Sequence, residues 1–337
     1  MRNGDGARSA GDSRSNEGAT IFCCVESGRI ERQTLLMLET LRKSGGPLGQ
    51  SRVLAIVPRR GRRLAADTLA RFRSLGVELH DASHVNPLPW YTWYAKVAAA
   101  RFAEELATTP VLIWLDSDTL ILGPLVELGL PHGHDFAARR EVCNPAVYDD
   151  SSPYLDHWRF SSEAVGLDWS DVPWMSADYP EKPQRLMFNA GVYAFRRGLG
   201  FSETYAECTD RLIRAGVGLE NGVYWFNEQH ALMFAMLRLG LRWRELSRAE
   251  NHMIFDDRID GELATPSCAD ARLIHYSRSM NPDRWPQFLA RLRRERPESL
   301  DWLAEHGPIG FDDRFPRRPS ALAMKIYRKA ISRLQTR

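Results

Sequence analysis

The sequence predicts an α/β protein with a mainly parallel central sheet, and three observations carry that expectation. Strand-like and helix-like segments alternate four times in the first third of the chain. The strand candidates are unbroken apolar runs, as expected of strands covered on both faces. The fourth run, Val111-Leu112-Ile113-Trp114-Leu115, leads straight into two acids, Asp116 and Asp118. In such sheets ligands bind beyond the carboxyl ends of the strands, which is where this pair would lie.

Taken in order, Met1 to Gly18 is polar and rich in Gly, Ser and Arg, and reads as a disordered tail without an apolar signal core. Ala19–Val25 is the first strand. Arg32–Lys43 is a helix with Leu35, Leu36, Leu38 and Leu41 on it, stopped by Ser-Gly-Gly-Pro. Val53–Val57 is the second strand, closed by Pro58. Leu64–Leu75 is amphipathic, Gly76–Leu79 a short third strand, and Tyr91–Leu106 a helix leading to the acid-bearing strand. Thr119–Leu122 follows the acids as another apolar strand. Between about Pro145 and Pro183 the pattern fails: Tyr148, Tyr154, Trp158, Trp169, Trp174 and Tyr179 stand among Pro, Ser and Asp. This stretch reads as an irregular excursion whose aromatics pack on the core or form a lid or acceptor groove. Strands return at Arg185–Phe188 and Val192–Phe195, helices at Phe201–Ala215 and near Glu228–Leu239, and late strands at Arg242–Leu246 and Ala271–Tyr276.

Composition narrows the class. The 337 residues are 44% hydrophobic and 26% charged, ordinary for a globular protein, and the net charge of +2 makes no case for nucleic acid. Five cysteines without CxxC spacing argue against a zinc site or disulfide framework and fit a reducing, cytoplasmic setting. No stretch approaches the ~20 apolar residues of a membrane span. From Ser320 a basic helix carries Ala323, Ile326, Tyr327, Ala330, Ile331 and Leu334 on one face. That stripe suits either adsorption onto anionic lipid, through residues 320–337, or packing back on the domain.

The acid pair is costly at the end of a buried strand unless a cation compensates it. Hard Mg²⁺ or Mn²⁺ prefers carboxylate oxygen and commonly carries a diphosphate. Ser117 keeps the turn small enough for both carboxylates to converge. The phosphatase order Asp-x-Asp-x-Thr is not met, because Thr119 follows Asp118 directly. Further candidates are Lys96 on its helix, Phe188-Asn189-Ala190-Gly191, Glu228-Gln229 opening a helix, and His275 at a strand end. Alone, each has a structural explanation: a solvated helix face, a β-bulge, a helix cap with Asn227 as N-cap, and a structural histidine.

Together and in this order, these segments resemble the family 8 glycosyltransferases, the GT-A-fold family of glycogenin and the bacterial lipopolysaccharide galactosyl- and glucosyltransferases. The resemblance spans roughly Ala19 to Trp285. It implies a nucleotide-diphosphate sugar as donor, a glycan or glycolipid as acceptor, and transfer with retention. Asp116, Asp118 and His275 would ligate Mn²⁺ (or Mg²⁺). Lys96, Asn189, Ala190 and Gly191 would meet the donor, and Glu228 and Gln229 would flank the anomeric carbon. Three departures stand out. Glu228 occupies the place of an aspartate. Asn281 replaces a diphosphate-binding lysine, a role that Arg278 or Arg284 could take. The first strand ends Val25-Glu26-Ser27, without the tyrosine that stacks on uracil. The implied layout is a GT-A domain over 19–312 and the basic helix over 313–337, on the cytoplasmic face of a membrane. The contrasting expectation is a sugar-nucleotide-binding scaffold that has lost turnover; a nucleotidyltransferase would want a Gly-rich phosphate loop where Glu26-Ser27-Gly28-Arg29 stands.

Overall fold

A computed structural model describes residues 18–141, 147–175, 183–219, 222–254 and 266–310. The expected alternation is present as β1 (Ala19–Cys24), α1 (Arg29–Ser44), β2 (Arg52–Val57), α2 (Ala66–Ser74), β3 (Val77–Asp81), α3 (Tyr94–Leu106) and β4 (Val111–Leu115). These four strands pair in parallel in the order β3-β2-β1-β4. Parallel neighbours need crossovers, and the three helices supply them. Successive side chains go to opposite faces. Phe22, Leu112 and Trp114 enter one core, while Ile21, Cys23, Ile113 and Leu115 enter the other. Both faces are therefore covered, as the unbroken apolar runs require.

The chain continues through β5 (Thr119–Ile121), β6 (Phe136–Arg140), α4 (Leu155–Val165), β7 (Trp174–Met175), β8 (Gln184–Arg185) and β9 (Phe188–Arg196). Then come α5 (Phe201–Arg214), α6 (Asn227–Arg238), β10 (Trp243–Glu245), β11 (His252–Met253), β12 (Leu273–His275), α7 (Trp285–Glu295) and α8 (Leu300–His306). β9 runs antiparallel between β4 and β6, and β10 pairs parallel with β6. Six of the seven strands of the main sheet therefore point the same way. A small second sheet, β11-β12-β5, sets His275 opposite Thr119.

Several sequence expectations need correction. α3 begins at Tyr94, not Tyr91, because Tyr91–Trp93 form a turn whose Tyr91 hydroxyl is tied to the carbonyls of Tyr224 and Trp225. The piece expected at 185–188 is divided, with Arg185 in β8 and Phe188 opening β9, and β9 runs on through the piece expected at 192–195 with a bulge at Asn-Ala-Gly. β6 was not foreseen, since Phe-Ala-Ala-Arg-Arg carries too little apolar character. The excursion holds a regular helix, α4, and packing accounts for most of its aromatics. Trp158 and Trp169 are buried, Tyr148 and Tyr154 pack against the core, and Trp174 is exposed. Tyr179 lies outside the described residues, as do the expected tail up to residue 17 and the basic helix after 313. No helix among the described residues is long and apolar enough to cross a membrane.

Burial leaves a pH signature. It pushes His157 and His252 down to about 4, with nearby arginines adding to the effect on His252. Their folded values lie below the unfolded one, so the stability of the neutral rings is complete above about 6.5 and is lost as pH falls toward 4. Each should cost about 2 kcal/mol at about pH 5. Melting temperatures taken at neutral pH and at about pH 5 should differ accordingly, and less so in His157→Asn. A flat profile would contradict the assignment.

Candidate active site

The acid loop leaves β4 at the carboxyl edge of the sheet. The Asp116 N–H donates to the Gly191 carbonyl at 2.8 Å, and the Thr119 hydroxyl donates to the Asp116 carbonyl at 2.8 Å. The turn is thus pinned to β9 on one side and closed on itself on the other. Both oxygens of the Asp116 carboxylate are engaged, one by the Trp114 indole N–H at 3.1 Å and the other by Lys96 Nζ at 2.8 Å. Lys96 also donates to the Ala190 carbonyl at 3.3 Å. It is not a residue of a solvated helix face: α3 aims it across the end of the sheet.

His275 reaches the same point from β12. Its Nε2 lies 3.2 Å from Asp118 Oδ1 and 3.9 Å from Asp116 Oδ2. One ligating atom from each of Asp116, Asp118 and His275 falls within 4.8 Å of the others. Electrostatics ties the group together. Burial raises Asp116, opposed by Lys96 and reinforced by Asp118. Burial acts upward on Asp118 too, but His275 and Lys96 hold it below the usual carboxylate range. For His275 burial works against the charged ring, yet the two carboxylates leave it raised. The donor set fits a small divalent cation. Ligands at right angles on bonds of about 2.1 Å lie about 3 Å apart, close to the separation of Asp118 and His275.

Gly191 is needed here for a reason the sequence did not suggest. A Cβ at this position would stand 2.2 Å from His275 Cε1 and 2.5 Å from its Nδ1. The bare backbone makes room for the imidazole ring, and a bulge in β9 brings it there. Between its pairings with Ala138 and Arg140 of β6, β9 advances five residues against two, from Tyr193 back to Phe188. Asn189 to Gly191 leave both neighbouring ladders and bring polar backbone to the site, while Val192 still pairs with Leu115 of β4.

A buried polar network fixes the bulge. Glu141, just past β6, accepts from Asn189 Nδ2 at 2.9 Å and from Gln229 Nε2 at 3.4 Å. Asn189 Oδ1 in turn accepts from the Gly191 N–H at 3.0 Å and from Asn251 Nδ2 at 3.1 Å. Gln229 Oε1 accepts from the Ala190 N–H at 3.3 Å. The amides of Asn189 and Gln229 are therefore both committed to protein partners. Glu141 was missed in the sequence, where its one signal is an acid closing the Phe-Ala-Ala strand.

α6 supplies Glu228, which is 2% exposed and accepts a hydrogen bond from the Tyr205 hydroxyl of α5. Burial pushes its carboxyl up to about 7, although Lys96 and Tyr205 both favour the ionised form. Lys96 is raised: burial lowers it, but Asp116 and Glu228 outweigh that. Asn227 is not the helix cap. It is the first helical residue, and its Nδ2 donates to the Val217 carbonyl at 2.9 Å.

In front of the cluster lies a recess of about 420 Å³ lined by Lys96, Asp116, Asp118, Trp93, Trp114 and four arginine-bearing or polar edges: Arg29, Arg59, Gln33 and Arg278. Arg278 is at the rim, with an exposed side chain. Asn281 stands apart from this lining, in the turn before α7, where its carbonyl accepts from the N–H groups of Arg284 and Trp285. Just past the end of β1, Glu26 forms an ion pair with Arg59 at 2.5 Å.

Residues 21–240, more than half of the chain, match the model of the Rhodobacterales glycosyltransferase domain. The chain belongs to that family. The matched stretch runs from β1 through α6 and holds every candidate named above except His275, Arg278, Asn281 and Arg284. A member of this family is a glycosyltransferase. No curated protein matches the chain. Among solved structures it is similar to the WbbM bifunctional glycosyltransferase in its apo form, at 14% identity and a TM-score of 0.48, covering 86% of this chain and 51% of that one. The chain thus spans about half the length of WbbM. It is also similar to apo mouse xyloside xylosyltransferase 1, at 11% identity and a TM-score of 0.43, covering 77% and 97%. A third is the galactosyltransferase LgtC with donor and acceptor sugar analogues, at 12% identity and a TM-score of 0.40, covering 77% and 87%.

The network around Glu141 has a measurable consequence. Glu141→Ala leaves the amides of Asn189 and Gln229 without their buried acceptor and should cost about 2 kcal/mol or more in urea unfolding. An unchanged midpoint would remove Glu141 from the support of the bulge.

Proposed function

We propose that this chain transfers a sugar from a nucleotide-diphosphate donor to a glycan or glycolipid acceptor, depends on a divalent cation, and retains the anomeric configuration. The observation that carries the metal dependence is the convergence of Asp116, Asp118 and His275 at the carboxyl edge of the sheet, within a glycosyltransferase domain. These three residues would hold the cation. Bound there, it would act as a Lewis acid on the departing diphosphate.

The chain's own residues account for the rest. Lys96 sits between Asp116 and the bulge and would place a positive charge against the donor phosphates. Arg29 and Arg278 line the same recess and take up the role of the absent lysine. Asn189, Ala190 and Gly191 shape the donor side through backbone held by Glu141 and Gln229. Glu228 is buried beside Tyr205 and close enough to Lys96 and Asp116 to interact with their charges. There an ionised carboxylate stabilises the positive charge that develops on the sugar as the glycosidic bond breaks. The free cysteines Cys23, Cys24, Cys208 and Cys268 support a reducing, cytoplasmic setting, and the basic stretch 320–337 supports contact with an anionic membrane face. Residues 19–312 would form the transferase domain.

The primary test is a thermal-shift panel of nucleoside diphosphates and their sugars, with Mn²⁺ and with chelator. One nucleotide sugar should raise the melting temperature only in the presence of metal, and should be slowly hydrolysed in the same tube. Asp118→Ala should abolish that metal-dependent shift. Gly191→Ala, which displaces the His275 ring, should weaken Mn²⁺ binding by roughly 10- to 100-fold. Full Mn²⁺ affinity in Asp118→Ala would refute the ligand assignment.

Glu228 has a separate signature. Only its ionised form stabilises a cation, so turnover should rise with pH through about 7. Glu228→Gln should bind donor like the wild type, turn over more slowly, and lose that pH limb. Turnover that is unaffected in Glu228→Gln would exclude the residue from catalysis.

A further inference from the structure

We propose that Trp93 and Trp225 form a stacking platform for a saccharide ring of the acceptor, an inference that rests on the transferase reading above. Trp225 is 40% exposed, a high value for an indole in a folded chain. Among the described residues Phe160 and Trp174 are the other exposed aromatics, and the Trp174 ring is covered by the Arg185 guanidinium at 4.5 Å. Trp225 differs in its position. Its ring lies 6.0 Å from that of Trp93, tilted by 51°. Trp93 in turn lines the recess that holds Lys96, Asp116 and Asp118. The two indoles therefore make an aromatic path from the open surface to the cluster.

The path is held rigidly. Trp93 lies in the turn before α3, and Trp225 in the short 3-10 turn over Tyr224–Phe226 before α6. The Tyr91 hydroxyl donates to the Tyr224 carbonyl at 2.9 Å and reaches the Trp225 carbonyl at 3.3 Å, so one side chain staples the two turns together. Rings fixed in this way lose little freedom on binding. Exposed aromatic surface that is held in place and continuous with a polar site marks a binding surface.

The chemistry favours a sugar over a base. A pyranose presents a face of C–H bonds with hydroxyls around its edge, which matches an electron-rich indole face beside a wet rim. The donor has room elsewhere. A groove of about 1090 Å³ at the carboxyl ends of β2 and β3 shares Glu26 and Arg59 with the recess and is flanked by Arg60, Arg62 and Trp90. Trp225 lines neither cavity and precedes Glu228 by three residues, on the α6 side.

The test uses the full-length protein and saturation-transfer NMR with methyl α- and β-glycosides of glucose, galactose and mannose, together with maltose and lactose. At least one should bind, with saturation passing from indole protons to its C–H face. Trp225→Ala should weaken that binding about tenfold, and Trp225→Tyr should retain most of it. The Mn²⁺-dependent nucleotide shift should persist in both variants, which also reports that they are folded. The platform is overturned if no glycoside binds the wild type, or if Trp225→Ala and Trp225→Tyr both bind as the wild type does. It is also overturned if the nucleotide shift falls along with glycoside binding, since the indoles would then belong to the donor site. Absence of any nucleotide shift in the wild type would instead refute the transferase reading and leave the glycoside result to judge the platform alone.

Discussion

The site depends on holding two carboxylates, Asp116 and Asp118, at the end of a strand buried on both faces. Their mutual repulsion and desolvation must be offset by positive charge from elsewhere in the chain. α3 brings Lys96 to within 2.8 Å of one, and β12 brings His275 to within 3.2 Å of the other. Lys96 comes from the helix just before β4 and His275 from a strand far along the chain, so the fold and the site stand or fall together. The same arrangement brings one ligating atom from each of Asp116, Asp118 and His275 within 4.8 Å of the others.

Much of the remaining architecture serves that convergence. β9 enters antiparallel beside β4 and places the Gly191 carbonyl where the Asp116 N–H needs an acceptor. Its bulge clears space for the His275 ring and is itself locked by Glu141, Asn189, Gln229 and Asn251. The Tyr276 N–H donates to the Asp118 carbonyl at 3.0 Å, tying the acid loop to the strand that carries the histidine. Ser277, next along, takes a positive φ of 49° beside the recess, a conformation that the run Ser277-Arg278 gave no reason to expect.

The single-residue explanations offered by the sequence fared unevenly. Lys96 on an ordinary helix and His275 at a strand end each had a bland alternative; the structure pairs Lys96 with Asp116 and sets His275 against both acids. The bulge and the candidate segment at Asn189–Gly191 are one feature of β9. For the aromatic excursion, packing accounts for Trp158 and Trp169, while half-buried Trp93 of the recess and exposed Trp225 beside it come from turns outside that stretch. Helical periodicity and turn residues could not signal those two, because their exposure depends on which helices end side by side.

By itself the sequence determined the α/β class, the first four strands with their helices, and the candidates Asp116, Asp118, Asn189, Glu228 and His275. Apolar runs, periodicity and motif order are local signals that survive in one dimension. Only the tertiary structure decided that Lys96 neutralises Asp116, that Gly191 makes room for His275 and not only for a ligand, and that Glu141 anchors the bulge. It also decided that Glu228 lies buried under Tyr205. Each of these rests on a contact between residues far apart in the chain, formed through strand order and register, and no local pattern encodes which distant side chain will arrive.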